Sequence, residues 1–147
     1  MKLYLDNCCY NRPFDNQKFI KIKIETEAKL FIQEKIKLGE YNIVWSYILD
    51  FENSINPFEE RKEAIKFWKN IAIEDTEANE EILEAAYQIS KFNVKSKDAL
   101  HLACAIHLKC DYFITTDETI IKKMSSFEKI KVVNPIEFIN KEVKNGS

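Results

Sequence analysis

The chain has 147 residues, with 22 basic against 24 acidic side chains and a net charge of −2 when both histidines are neutral. Apolar residues make up 46% and charged residues 31%, the balance of one globular domain rather than of a disordered chain. Two glycines cannot write a dinucleotide fingerprint or a P-loop, four cysteines without a C-x-x-C leave no zinc-finger spacing, and near-neutral charge excludes a nonspecific nucleic-acid coat.

Lys2 to Leu5 is a short apolar run that reads as a buried strand, ended by Asp6 and followed by a polar, turn-rich loop to Asp15. Asp6 interrupts any signal-peptide pattern, and the longest uncharged stretch, Ala99 to Leu108, is about half a bilayer span, so the expectation is a cytoplasmic protein with reduced thiols and no membrane segment. From Gln17 to Leu38 the residues Ile20, Ile24, Ala28, Phe31 and Leu38 fall near helical spacing, and Gly39 suits the position just past a helix end. Ile43 to Trp45 reads as a second strand. Ser46 is placed to cap a helix over Tyr47 to Ser54, which carries Glu52. Asn56-Pro57 predicts a helix start, with Glu59 and Glu60 in the first turn, Lys66 and Lys69 in the last, and Phe58, Ile65 and Trp68 as the buried stripe. Ile71 to Ile73 suits a brief third strand, after which Asp75 or Thr76 is expected to cap a helix with Ala78, Ile82, Ala85, Ala86 and Ile89 on one side.

Ser96 is expected to cap the next helix, Lys97 to about Lys109, which is apolar nearly all round and therefore central. Tyr112 to Thr115 and Lys131 to Val133 complete the strands, the last stopped by Pro135. Short apolar strands with little alternation, separated by helices, predict an α/β fold: a mainly parallel central sheet flanked by helices, one domain over residues 1–140 and a tail over 141–147.

Ligands of open α/β sheets collect beyond the carboxyl ends of the strands, where strand order switches. Asp6 ends the first strand, Thr115, Thr116 and Asp117 end the strand after the central helix, Asp98 lies in that helix's first turn, and Glu52 sits about one and a half turns into its own helix. Each acid also has a plain structural use, as a cap, a dipole partner or a solvated side chain. Together they would repel one another unless a hard cation held by oxygen ligands sits between them, which points to Mg²⁺ or Mn²⁺.

The pattern resembles the PIN-domain ribonucleases, including the toxin-like, VapC-type members of bacterial toxin–antitoxin pairs. The resemblance spans Leu3 to about Ile139 and rests on Tyr4-Leu5-Asp6-Asn7, on Trp45-Ser46 followed by Glu52, on Lys97-Asp98-Ala99-Leu100-His101-Leu102-Ala103-Cys104-Ala105, and on Phe113-Ile114-Thr115-Thr116-Asp117. It implies metal-dependent hydrolysis of RNA phosphodiesters to a 5′-phosphate and a 3′-hydroxyl, with Asp6, Glu52, Asp98 and Asp117 as the acidic site. Asp6, Asp98 and Asp117 would be metal ligands, directly or through water, and Glu52 would orient ligand waters or complete a second site. Asn7, Arg12 and Thr115 are the candidates for substrate contact, and the partners implied are RNA, an antitoxin protein and a second copy of the chain. The chain departs from the family's usual threonine or serine after the first aspartate, having Asn7, Cys8 and Cys9 there.

His101 and His107 are six residues apart and read as core or boundary histidines, and the cysteines as small buried residues rather than nucleophiles. The aromatic residues fall at core spacings, and the apolar surplus between Ile20 and Leu38 and between Tyr47 and Trp68 suits a dimer or antitoxin face. Two alternatives compete. A phosphohydrolase of the haloacid dehalogenase type needs a D-x-D pair, and Cys8 stands where the second aspartate would be. A catalytically inactive interaction module on the same fold would need no acids, yet four are present.

Overall fold

A computed structural model describes residues 1–146, with side chains through residue 142. Strand β1 (Lys2–Leu5) leads into helix α1 (Asn7–Asn11), a 3₁₀ turn (Arg12–Phe14) and α2 (Ile20–Lys37). Then follow β2 (Asn42–Ile43), α3 (Tyr47–Ser54), α4 (Glu59–Ile71), α5 (Glu80–Ser90), α6 (Ser96–His107), β3 (Tyr112–Ile114), α7 (Glu118–Lys123), β4 (Lys131–Val133) and α8 (Pro135–Gly146). This is the α/β fold expected, with the helices covering the sheet. No helix among the described residues is long and apolar enough to cross a membrane.

The sheet order is β2-β1-β3-β4 and every pairing is parallel. Leu3, Tyr4, Leu5, Phe113 and Ile114 are wholly buried, as strands covered on both faces require. Because β1 sends its chain outward to β2 while β3 lies on its other side, the order switches between β1 and β3. The carboxyl ends of those two strands carry Asp6 and Thr115, and the backbone amide of Asp6 donates to the carbonyl of Ile114 at 2.9 Å. Central helix α6 buries Ala99, His101, Leu102, Ala103, Cys104 and Ala105, and it packs chiefly on α5.

Several local expectations are corrected. The loop after Asp6 is helical, because the Asp6 carboxylate accepts from the amide of Asn7 and caps α1. Helix α2 buries Glu25, Thr26, Ala28, Lys29, Ile32, Gln33 and Ile36, whereas Ile20, Ile24, Phe31 and Leu38 face outward. Phe58 precedes α4 and is exposed, leaving Ile65 and Trp68 as the buried stripe, and Pro57 lies outside the helix. The expected strand at Ile71 to Ile73 reduces to a single bridge between Val44 and Glu74. Asn79, not Asp75 or Thr76, caps α5 by accepting from the amide of Ile82 at 2.8 Å, and Ser96 is the first residue of α6 rather than its cap. Pro135 opens α8 with Asn134 accepting from the amide of Glu137 at 2.7 Å, and that helix continues through the segment from Lys141 read as a tail, to Gly146. Residue 147 lies outside the described residues.

Candidate active site

Asp6 leaves β1 at the switch point and is almost wholly buried. One carboxylate oxygen accepts from the Asn7 amide at 2.8 Å and the other from the Thr115 hydroxyl at 2.8 Å, with the Cys8 thiol 3.4 Å away. Two oriented donors hold the carboxylate in one pose without neutralising it. Thr115 is fully buried, and its oxygen also accepts from the amide of Asp117 at 3.1 Å.

Glu52 arrives from α3 because Ser46 caps that helix, accepting from the amide of Leu49 at 3.3 Å, as expected. Its Oε1 meets the Nε2 of His101, and its Oε2 accepts from the Asn7 side-chain amide at 3.4 Å. His101 projects from α6 one turn after Asp98, so the two share a face of the helix. Its Nε2 lies 3.8 Å from Asp6 Oδ1, and one ligand atom each from Asp6, Glu52 and His101 fall within 4.8 Å of one another. The sequence reading missed His101 as a site residue while placing it rightly in the core; its spacing of three from Asp98 was the available signal.

Asp98 is half-buried in the first turn of α6. Burial raises its carboxyl above the usual range, and the charges of Asp6, Asp117 and Glu52 raise it further, while His101 opposes them. Asp98 and Asp117 together line a cavity of about 90 Å³ with Lys95 and Lys123. Neither belongs to the tight trio formed by Asp6, Glu52 and His101. Asp117 is exposed and caps α7, accepting from the amides of Thr119 at 2.9 Å and Ile120 at 3.4 Å. The four acids thus lie at one mouth in two pairs coupled by charge.

The three candidates for substrate contact are placed differently. Asn7 lies between Asp6 and Glu52, with its side-chain oxygen buried and unpaired. Thr115 points into Asp6. Arg12 is turned away, its guanidinium 2.9 Å from the buried Glu25 carboxylate and 3.0 Å from Asp15. The cysteines are free thiols, and burial pushes Cys104 and Cys110 up to about 12, where they are inert as nucleophiles.

The Asp6 and Glu52 carboxylates, with Asp98 and Asp117 beside them, offer the oxygen donors that suit a hard divalent cation. The site therefore fits such an ion, which also removes the carboxylate repulsion.

The model of a family described as PIN domain matches residues 17–125. That span takes in Glu52, Asp98, His101 and Asp117, and Asp6 precedes it. No curated protein sequence matches. Among solved structures, VapBC-1 from nontypeable Haemophilus influenzae is similar with a TM-score of 0.59 at 15% identity, covering 92% of this chain and 99% of that one. VapBC2 from Rickettsia felis, bound to a DNA fragment from their promoter, is similar with a TM-score of 0.58 at 14% identity, covering 91% of this chain and 98% of the other.

Proposed function

This chain belongs to the PIN domain family, and from that premise we propose that it is a metal-dependent endoribonuclease, the toxin of a toxin–antitoxin pair. The observation that carries the reading is the meeting of Asp6 and Glu52 at His101, with the Asp98 carboxyl raised by burial and then by the charges of Asp6 and Asp117. A divalent cation, Mg²⁺ or Mn²⁺, would be held by Asp6, Asp98 and Asp117, directly or through water, with Glu52 oriented toward it. When bound, the ion supplies Lewis acidity toward a phosphodiester and a more acidic attacking water.

The chain's own residues do the positioning. Thr115 and the Asn7 amide hold the Asp6 carboxylate in one pose. Asn7 bridges toward Glu52, and its side-chain oxygen lies buried and unpaired beside the two carboxylates. Lys95 and Lys123, beside Asp98 and Asp117, place positive charge where an RNA phosphate would approach. Arg12 is engaged by Glu25 and Asp15, whereas Asn7 sits at the mouth between Asp6 and Glu52 and is the better placed of the two to face a substrate.

An antitoxin partner is supported by the VapBC names of the two solved structures described above and by the apolar side chains left exposed on and beside α2, α3 and α4: Phe19, Ile20, Phe51, Ile55, Phe58 and Phe67. A monomeric mass for the protein alone would leave those side chains to a different protein; a dimeric mass would assign them to a second copy.

The test is cleavage of structured and unstructured RNA with Mg²⁺, Mn²⁺ or EDTA, wild type beside Asp6→Asn, with end-group analysis. Metal-dependent cuts leaving 5′-phosphates and 3′-hydroxyls, absent in the variant, are expected. Good Mn²⁺ binding without cleavage of any RNA would instead favour a non-catalytic module on this fold.

A further inference from the structure

Resting on the metal-site reading above, we infer that His101 is a positioning residue: its Nε2–H holds the Glu52 carboxylate beside Asp6, and Tyr4 with Ser46 dictates which imidazole nitrogen carries the proton. His101 is buried on α6, and both ring nitrogens are engaged. Nδ1 lies 2.6 Å from the Tyr4 hydroxyl, which lies 2.6 Å from the Ser46 hydroxyl, and Nε2 meets Glu52 Oε1.

The direction of this chain follows from its two ends. A carboxylate only accepts, so the nitrogen facing Glu52 must donate. In a neutral imidazole the other nitrogen then accepts, and the donor is the Tyr4 hydroxyl. Tyr4 is wholly buried between His101 and Ser46, so its hydroxyl hydrogen has the Nδ1 lone pair as its acceptor. The Tyr4 oxygen is left to accept from Ser46, whose own oxygen accepts from the Leu49 amide at the start of α3. One path therefore runs from the cap of α3 through β1 and α6 back to Glu52 on α3. It ties the angle of that helix to the pose of its carboxylate. The edge-on contact of the imidazole with the Tyr4 ring, at 5.6 Å between centroids, restricts the ring's rotation as well.

The arrangement separates two substitutions that a purely structural role would treat alike. Glutamine places an amide N–H near the position of Nε2 and reaches Glu52; asparagine places one near Nδ1 and reaches only Tyr4. Leucine fills the space with neither. Mn²⁺ affinity, read from the free-ion electron paramagnetic resonance signal, is expected to fall about 10–100-fold in His101→Leu, as for loss of a group that orients a metal ligand. His101→Gln should recover most of it and His101→Asn should not. Unfolding in EDTA checks that each variant is folded.

A second measurement needs no variant. The protein has two histidines, so the imidazole ¹⁵N resonances of the metal-free wild type can be assigned by comparison with His107→Gln. They should report His101 as the Nε2–H tautomer. The Nδ1–H tautomer, or Mn²⁺ binding by His101→Leu equal to wild type, or glutamine no better than asparagine, would overturn the inference and leave the metal site standing. Wild-type protein that takes up no Mn²⁺ would overturn the metal-site reading and this inference with it.

Discussion

The Thr115 hydroxyl donates to Asp6 across the β1–β3 switch point at 2.8 Å, and the two residues are 0% and 6% exposed. Thr115, expected to touch substrate, clamps the buried carboxylate. It occupies that role because β1 and β3 are neighbours in register, with Leu5 opposite Ile114, so the next residue on each strand faces the other.

Thr115→Val keeps the shape and removes the donor, leaving Asp6 under-satisfied and the Asp117 amide without its acceptor. The expected loss is about 1–3 kcal/mol of stability in EDTA, read from urea unfolding, with Thr115→Ser recovering most of it. An unchanged urea midpoint for the valine variant would show that the clamp contributes nothing.

Asp98 carries the electrostatic signature of the site. Its carboxyl is raised by burial first and then by Asp6 and Asp117, so the folded state holds this proton at a pH where the unfolded state has released it. Stability conferred by the protonated form is therefore present below the unfolded value and is lost as pH rises through the folded one. Asp98→Asn should leave the metal-free protein as stable as wild type or more so at pH 7, with the gain shrinking toward acid pH. It should also remove the rise in Tm that Mn²⁺ produces in wild type. A lower Tm for metal-free Asp98→Asn at pH 7 would instead mark Asp98 as a partner of the α6 dipole.

Lys29 lies on the inner face of α2, 2% exposed, its ammonium nitrogen 5.3 Å from the centre of the Tyr10 ring and 5.9 Å from that of Trp68. Desolvation lowers it to about 7 despite the favourable ring faces, with Cys9 opposing weakly. Between about pH 7 and the ordinary lysine value the unfolded chain binds a proton that the folded one does not, so stability should climb with pH at up to about 1.4 kcal/mol per unit. In Lys29→Met that climb should vanish, and stability at pH 6 should rise because no charge is buried. Parallel curves for the two proteins between pH 6 and 9 would contradict this placement of Lys29.

Much of the site was legible in one dimension. Asp6, Asp98 and Asp117 each sit at the end of an apolar run or the start of a helix, positions that chain order alone exposes, and Ser46-x-x-Leu49 marks the helix that brings Glu52. His101 was harder to read. A histidine inside Leu100-His101-Leu102-Ala103 belongs to an apolar stretch whichever way it points, and only the position of β1 beneath α6 sets it between Tyr4 and Glu52. The pairing of Arg12 was hidden for the converse reason: its partner Glu25 lies on a helix whose buried face the sequence does not mark.

Parallel pairing and four of the five expected strands were determined by the sequence itself, because short apolar runs without alternation are stable only when covered on both faces. The inner face of α2 was decided by the tertiary structure. Along Ile20–Lys37 apolar and charged residues interleave, so local periodicity favours no side, and the helix turns Glu25 toward Arg12 and Lys29 toward Tyr10 and Trp68, leaving Ile20 and Ile24 outside. The acidic mouth is likewise a product of strand order. Asp6 and Thr115 are 109 residues apart and meet only because β3 pairs with β1, a juxtaposition set by packing across the whole sheet.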